Sequence, residues 1–170
     1  MTPYALTIDA GARELRAADR LLHALAARLA LPEDVYGCTH LVRGDRPRVA
    51  VSLACASEPL LRTARERLTA DGHQVTPGVP DAYGRAVLYP GAAALTGTVT
   101  VAELLDRSAI DRVAVLGSAR APDADARLVT RGHVRPQWQS GELVLTAMPA
   151  SGGVLVPFEV PDPTPCCADH

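Results

Sequence analysis

Lysine is missing from this chain: all seventeen basic residues are arginine. That excludes a Schiff-base or other lysine nucleophile and the lysine of a phosphate-binding P-loop. The arginines are spread along the whole chain, which marks a compositional bias and not a phosphate-binding patch. Aromatic residues make up only 4%, with one Phe and one Trp, so a core must be packed from Leu, Val and Ala. No run approaches the roughly 20 apolar residues of a membrane span. Nineteen acidic residues balance the basic ones to a net charge of -2. An even, interleaved distribution offers no footprint for a nucleic-acid backbone, and neither nucleic acid nor membrane is an expected partner.

Several catalytic signatures are also absent. No Gly-rich phosphate loop precedes a helix, and there is no Gly-x-Ser-x-Gly elbow or His-Glu-x-x-His pair. The N-terminal run Met1-Thr-Pro-Tyr-Ala-Leu-Thr-Ile8 lacks a basic region followed by a long apolar stretch, so no secretory leader is expected. A cytoplasmic, reducing location follows, in which the four cysteines are buried thiols, ligands or nucleophiles and not a disulfide framework.

What is present favours an α+β protein. Tyr4–Ile8 reads as a strand and Asp9-Ala-Gly11 as a turn. Leu15, Ala18, Leu22, Leu25 and Leu29 repeat at helical spacing with arginines mostly off that stripe. Pro32 closes the helix, and a strand follows from Val35 to Val42. Arg43-Gly-Asp-Arg46 is a turn, Arg48–Ala54 a second β-favouring run, and Ser57-Glu-Pro the start of a helix that ends at Asp71-Gly72. His73–Thr76 resumes an extended pattern.

This βαββαβ order predicts a ferredoxin-like N-terminal half, two helices covering one face of an antiparallel sheet. With its Asp-x-Gly turn after the first strand, the stretch 4–78 resembles the small-molecule-sensing ACT domains. The resemblance implies a regulatory ligand site and dimerisation through the sheet. Ala10 stands where the ACT pattern usually has Pro before the Gly, so no ligand residues carry over.

Beyond Pro77-Gly-Val-Pro80 the chain reads as a β-rich C-terminal extension. Arg85–Tyr89 is a short strand. Thr100-x-x-Glu103 is a capping box for a helix Val101–Arg107, and Asp111–Leu116 is the strand after it. A β-meander over Leu128–Val134, Glu142–Ala147 and Val154–Val160 follows, with Pro157 placing the last strand at a sheet edge. The expected organisation is a core over 1–90, a packed layer over 91–160 and a Pro-rich Cys/His tail over 161–170.

That tail, Pro161-Asp-Pro-Thr-Pro-Cys-Cys-Ala-Asp-His170, concentrates soft ligand atoms. Its alternating prolines favour an extended spacer rising about 3.1 Å per residue. Cys166, Cys167 and His170 are candidate ligands for zinc or cuprous copper, which prefer thiolate and imidazole. Adjacent cysteines cannot easily aim both sulfurs at one ion, so a closed site needs the second cluster, Cys38 and His40. The leading expectation is therefore a small non-catalytic binding or accessory protein whose tail captures a soft metal, with a small molecule or a protein as candidate partners; a small-molecule-sensing, ACT-like regulatory domain is a separate, further alternative.

A cysteine-dependent enzyme or thiol switch is the alternative, with Cys38, Cys55, His40, His73 and His133 formally available. Cys55 precedes a helix N-terminus, which lowers a thiol pKa. Neighbouring Cα atoms lie about 3.8 Å apart, under the usual disulfide range of about 4.4 to 6.8 Å, so a Cys166–Cys167 bond would be strained and easily reduced. His23 falls on the solvated side of its helix. In Arg131-Gly-His-Val-Arg-Pro-Gln-Trp138, two arginines, His133 and Trp138 sketch a wall for an anionic or planar ligand, although an edge strand accounts for the same residues.

Overall fold

A computed structural model describes residues 4–161. Strand β1 (Tyr4–Ala12) buries Leu6 and Ile8 while their neighbours stay partly accessible, the period-two pattern of a strand with one core face. Helix α1 (Leu15–Leu29) buries Ala18, Asp19, Leu22, Leu25 and Leu29 in one stripe. Hairpin strands β2 (Tyr36–Val42) and β3 (Arg48–Cys55) pair in antiparallel register from Tyr36 opposite Ala54 to Val42 opposite Arg48. Helix α2 (Glu58–Ala70) is capped by Ser57, whose hydroxyl accepts from the Leu60 N–H, and carries Pro59 in its first turn, where a missing N–H costs nothing. Strand β4 (Gln74–Pro77) returns antiparallel to β1.

In space these strands run β4–β1–β3–β2. Leu6, Ile8, Val49, Val51 and Leu53 meet Leu22, Leu25, Leu61 and Leu68, so both helices cover the same face. Burial of these aliphatic side chains, each worth about 1.5–3 kcal/mol, is what holds helix to sheet.

The sheet then continues past β2 through β5 (Arg85–Leu88), β9 (Gln137–Gln139), β10 (Glu142–Ala150), β11 (Val154–Pro157), β8 (Arg127–Val129) and β6 (Thr98–Thr100). Strand β7 (Arg112–Val115) runs parallel alongside β10. Helix α3 (Val101–Arg107) starts directly from β6 with both halves of its capping box formed. A second core gathers Cys38, Ala86, Tyr89, Leu104, Leu128 and Leu143. Over the described residues the molecule is thus α+β, three α-helices on one mixed eleven-stranded sheet.

Getting from β4, at one sheet edge, to β5, beyond β2, requires the chain to cross three strands. The segment 78–84 does this on the face opposite α1 and α2. The Gly78 N–H donates to the Ala5 carbonyl (2.9 Å) and the Thr7 hydroxyl donates to the Gly78 carbonyl (2.7 Å). At the far end, Gly84 is pressed so close to Cys38 and His40 that a Cβ would lie 2.9 Å from atoms of each.

Two details of the C-terminal half differ from expectation. Strand β11 lies between β10 and β8, not at an edge. Its Pro157 is tolerated because β8 pairs only at Leu155, and the neighbouring Phe158 N–H donates to Thr146 of β10, so the proline nitrogen faces the unpaired side. The stretch 130–136 is a loop, not a strand. Arg131 (φ 55) and Gly132 (φ 64) are both left-handed, and this turn redirects His133 and Arg135 toward α1.

Candidate functional site

Cys38 and His40 project from β2 to the face away from the helices, two residues apart on one strand. Both are buried. His40 Nδ1 lies 3.2 Å from Asp81 Oδ1 and Nε2 lies 2.8 Å from Ser52 Oγ. A carboxylate only accepts, so Nδ1 carries the proton and Nε2 accepts from the hydroxyl. Both ring nitrogens are engaged, leaving no lone pair for a metal in this arrangement. Burial pushes the Cys38 thiol up to about 12, outweighing the hydrogen bond from Trp138, so it stays protonated at neutral pH. Cys166, Cys167 and His170 lie outside the described residues, and among the described residues no group of three or more His, Cys, Asp or Glu side chains is placed to hold a metal ion.

Asp81, His40 and Ser52 repeat the hydrogen-bond polarity of an acyl-transfer triad. Their burial runs the wrong way. Ser52 is 2% exposed beneath the 78–84 crossing, while the Asp81 side chain is 37% exposed. A triad needs an open nucleophile and a sheltered acid. Here a substrate carbonyl has no approach to Ser52 Oγ, and the trio instead fastens the crossing segment to the sheet. Asp81 also accepts from the Tyr83 N–H (2.7 Å), which holds the carboxylate in place.

The other thiol among the described residues is no better placed for chemistry. Cys55 is buried at the end of β3, where its Sγ donates to the Ser57 carbonyl at 3.4 Å. His73 sits just past α2 and its N–H closes the helix onto Leu68 O.

On the helix side of the sheet the structure assembles a different constellation. Asp19 occupies the buried stripe of α1, Arg85 opens β5, His133 and Arg135 come from the 130–136 loop, and Glu159 follows β11. Arg85 Nη1 and Nη2 donate to the two Asp19 oxygens (2.7 and 3.1 Å), and Arg135 Nε donates to Asp19 Oδ2 (3.1 Å). With its other edge Arg85 grips Glu159, Nε to Oε2 at 2.7 Å and Nη2 to Oε1. His133 Nε2 lies 3.0 Å from Glu159 Oε1. Thr39 of β2 accepts from Arg85 Nη1 at 3.3 Å.

Burial raises the Asp19 carboxyl, but the hydrogen bonds and charges of Arg85 and Arg135 more than offset this and leave it below its ordinary value. The same contest, with Arg85 and His133 as the opposing groups, leaves Glu159 low. Burial alone would depress Arg85; the two carboxylates raise it instead, so its charge is permanent. Asp19, Glu159 and Arg85 are therefore all ionised at neutral pH.

Arg85, Arg135 and Glu159 form a partition between two open depressions. One, about 1060 Å³, runs along α1 with Arg16, Arg20, His23 and His133 on its walls. The other, about 430 Å³, lies toward Leu41, Arg43 and Tyr83. Pro161 stands on the rim of the larger cleft, its carbonyl accepting from Arg16 Nη2 at 3.1 Å.

Of the Arg131–Trp138 residues that sketch a ligand wall in the sequence, only His133 and Arg135 come together in this cleft. Trp138 instead packs on Tyr36, ring centroids 5.6 Å apart, beside Cys38. Asp19, Arg85 and Glu159 were not anticipated. The one available signal was Asp19 itself, an acid at i+4 from Leu15 and i−3 from Leu22 on the apolar stripe. The chain matches no protein-family model, no curated protein and no solved structure.

Proposed function

We propose that this chain is a non-catalytic binding protein that holds a small anionic ligand in the cleft along α1. The observation that carries the reading is the pair of guanidinium groups, Arg85 and Arg135, sheltered at the cleft floor and aimed by the single carboxylate of Asp19. Guanidinium forks recognise planar anions bidentately, and sheltering them from water strengthens that interaction. No open nucleophile stands beside a base among the described residues, which is why binding is favoured over catalysis.

The architecture is in keeping with this role. The element order and the β4–β1–β3–β2 strand order support a ferredoxin-like unit over 1–90 with the layer 91–160 appended, the type of scaffold on which ACT-like sensors bind small molecules and dimerise through the sheet. No helix among the described residues is long and apolar enough to cross a membrane, and a cytoplasmic location belongs to the same reading. Isothermal titration of the full chain with a panel of carboxylates and inorganic phosphate at constant ionic strength tests it. Saturable binding that Arg135→Met abolishes is the expected result; no heat from any of them refutes the proposal.

Soft-metal capture by Cys166, Cys167 and His170 is a second, separable reading, favoured by the thiol and imidazole clustering in the sequence. The buried thiol of Cys38 and the doubly bonded ring of His40 lie on the opposite face from the cleft rim where Pro161 stands, so the tail residues, and not that pair, carry this reading. It predicts about one equivalent of zinc or copper per chain after metal-supplemented, reducing purification, measured by elemental analysis.

A further inference from the structure

We infer that Glu159 is an internal occupant of the anion site, and that an organic dicarboxylate binds by taking its place on Arg85 and freeing the stretch that follows β11. The inference rests on the binding role proposed above and adds the ligand class and its consequence.

The two carboxylates on Arg85 are not equivalent. Asp19 lies in the second turn of α1 with its side chain 12% exposed, and it also holds Arg135. It is the permanent counter-charge. Glu159 is 36% exposed and comes from the short run after β11. Among the described residues, besides the bonds of Glu159 itself to Arg85 and His133, that run is held by the Phe158 N–H on Thr146 O and the Arg16 side chain on the Pro161 carbonyl. Phe158 is 55% exposed instead of anchoring the run in a core. Withdrawal of Glu159 therefore opens no hydrophobic core.

Exchange of one carboxylate for another is electrostatically nearly neutral. Arg85 keeps Asp19 throughout, the incoming group receives the same Nε and Nη2 donors that Glu159 holds now, and Glu159 is rehydrated. Removal of Glu159 without replacement would leave a sheltered guanidinium half-compensated, which is costly. What a ligand needs is an advantage over the tethered side chain. The cleft wall supplies it: Arg20 lines the same depression and makes no ion pair among the described residues. A ligand with a second carboxylate gains a partner on the same cleft wall, and Glu159 has no second carboxylate to offer.

A tethered competitor weakens apparent affinity by the fraction of time the site stands open, so neutralising it strengthens binding. Glutarate is the probe, titrated calorimetrically into the full-length wild type and Glu159→Gln at pH 7 and fixed ionic strength, with inorganic phosphate in parallel. The expected result is glutarate binding about tenfold tighter to Glu159→Gln, as for a site open about a tenth of the time. In the wild type, which needs no substitution to fold, glutarate should also speed hydrogen exchange of the Phe158 amide. Glutarate binding with equal affinity in both proteins and unchanged exchange at Phe158 overturns the displacement while leaving the binding role intact. Phosphate binding without glutarate binding overturns the ligand class. Silence from both ligands in both proteins overturns this inference, and the wider carboxylate panel then decides the binding role on its own.

Discussion

Replacing Asp19 by Asn tests the centre of the cluster with almost no change in shape. The carboxylate accepts three guanidinium N–H bonds, at 2.7, 3.1 and 3.1 Å, from a side chain only 12% exposed. An amide keeps one oxygen acceptor but turns two N–H donors toward the other guanidinium. The cluster also gains one net positive charge. Breaking a buried pair from one side costs about 3–5 kcal/mol. Because Glu159 still compensates Arg85, the low end, about 3 kcal/mol, is expected. For a chain of this size that corresponds to a fall of about 6–12 °C in Tm.

Urea unfolding at pH 7 followed by circular dichroism measures the loss. Arg135→Met in the same cycle should show a coupling of about 1–3 kcal/mol with Asp19→Asn. The acid limb adds a sign. The Asp19 carboxyl lies below its ordinary 3.8, so its contribution is complete above that value and is lost as pH falls through the lower folded-state value. The gap between wild type and Asn variant therefore narrows on acidification below 3.8. A gap under about 1 kcal/mol at pH 7, or one undiminished near pH ~2, would refute the account of a charge-centred clamp.

Three further outcomes follow from other parts of the fold. Gly84→Ala forces a Cβ to 2.9 Å from Cys38 and His40 atoms and should cost about 1–3 kcal/mol in urea unfolding, with faster alkylation of Cys38 as the crossing segment lifts; an unchanged midpoint contradicts this. The raised Cys38 pKa means a proton held by the fold, so its contribution is intact below 9.0 and lost as pH rises from there toward about 12. Alkaline unfolding should accordingly be less steep in Cys38→Ala than in wild type, by up to about 1.4 kcal/mol per pH unit, and parallel curves would contradict the buried-thiol assignment. Thr100→Ala removes the hydroxyl that accepts from Glu103 N and should cost about 1 kcal/mol, with Thr100→Ser close to neutral, as read from thermal melts.

Elements whose cause is local were readable in advance. The apolar stripe of α1, the Ser57 cap of α2, the Thr100–Glu103 capping box and the β2–β3 hairpin each depend on residues a few positions apart. The errors arose where long-range packing decides. Pro157 signals an unpaired backbone side, which holds here, but whether that side belongs to an edge strand depends on how far β8 extends. The polar alternation in 131–138 suits a strand, yet two consecutive left-handed residues turn 131–136 into a loop and leave only the end of the run, from Gln137, in a strand.

The cluster itself could not be read from one chain. Asp19 and Arg85 are separated by 66 positions and Asp19 and Arg135 by 116. Seventeen arginines and nineteen acids allow a great many pairings. Sequence alone determined the three α-helices, the strands of the N-terminal half and which of their faces are apolar, because period, capping and turn chemistry act over one or two turns of backbone. Only the tertiary structure decided that the chain crosses behind the sheet to place β5 beside β2, and so brings Arg85 under α1 and Arg135 and Glu159 against it. Charges choose partners by distance and shelter from water, and both are properties of the assembled sheet.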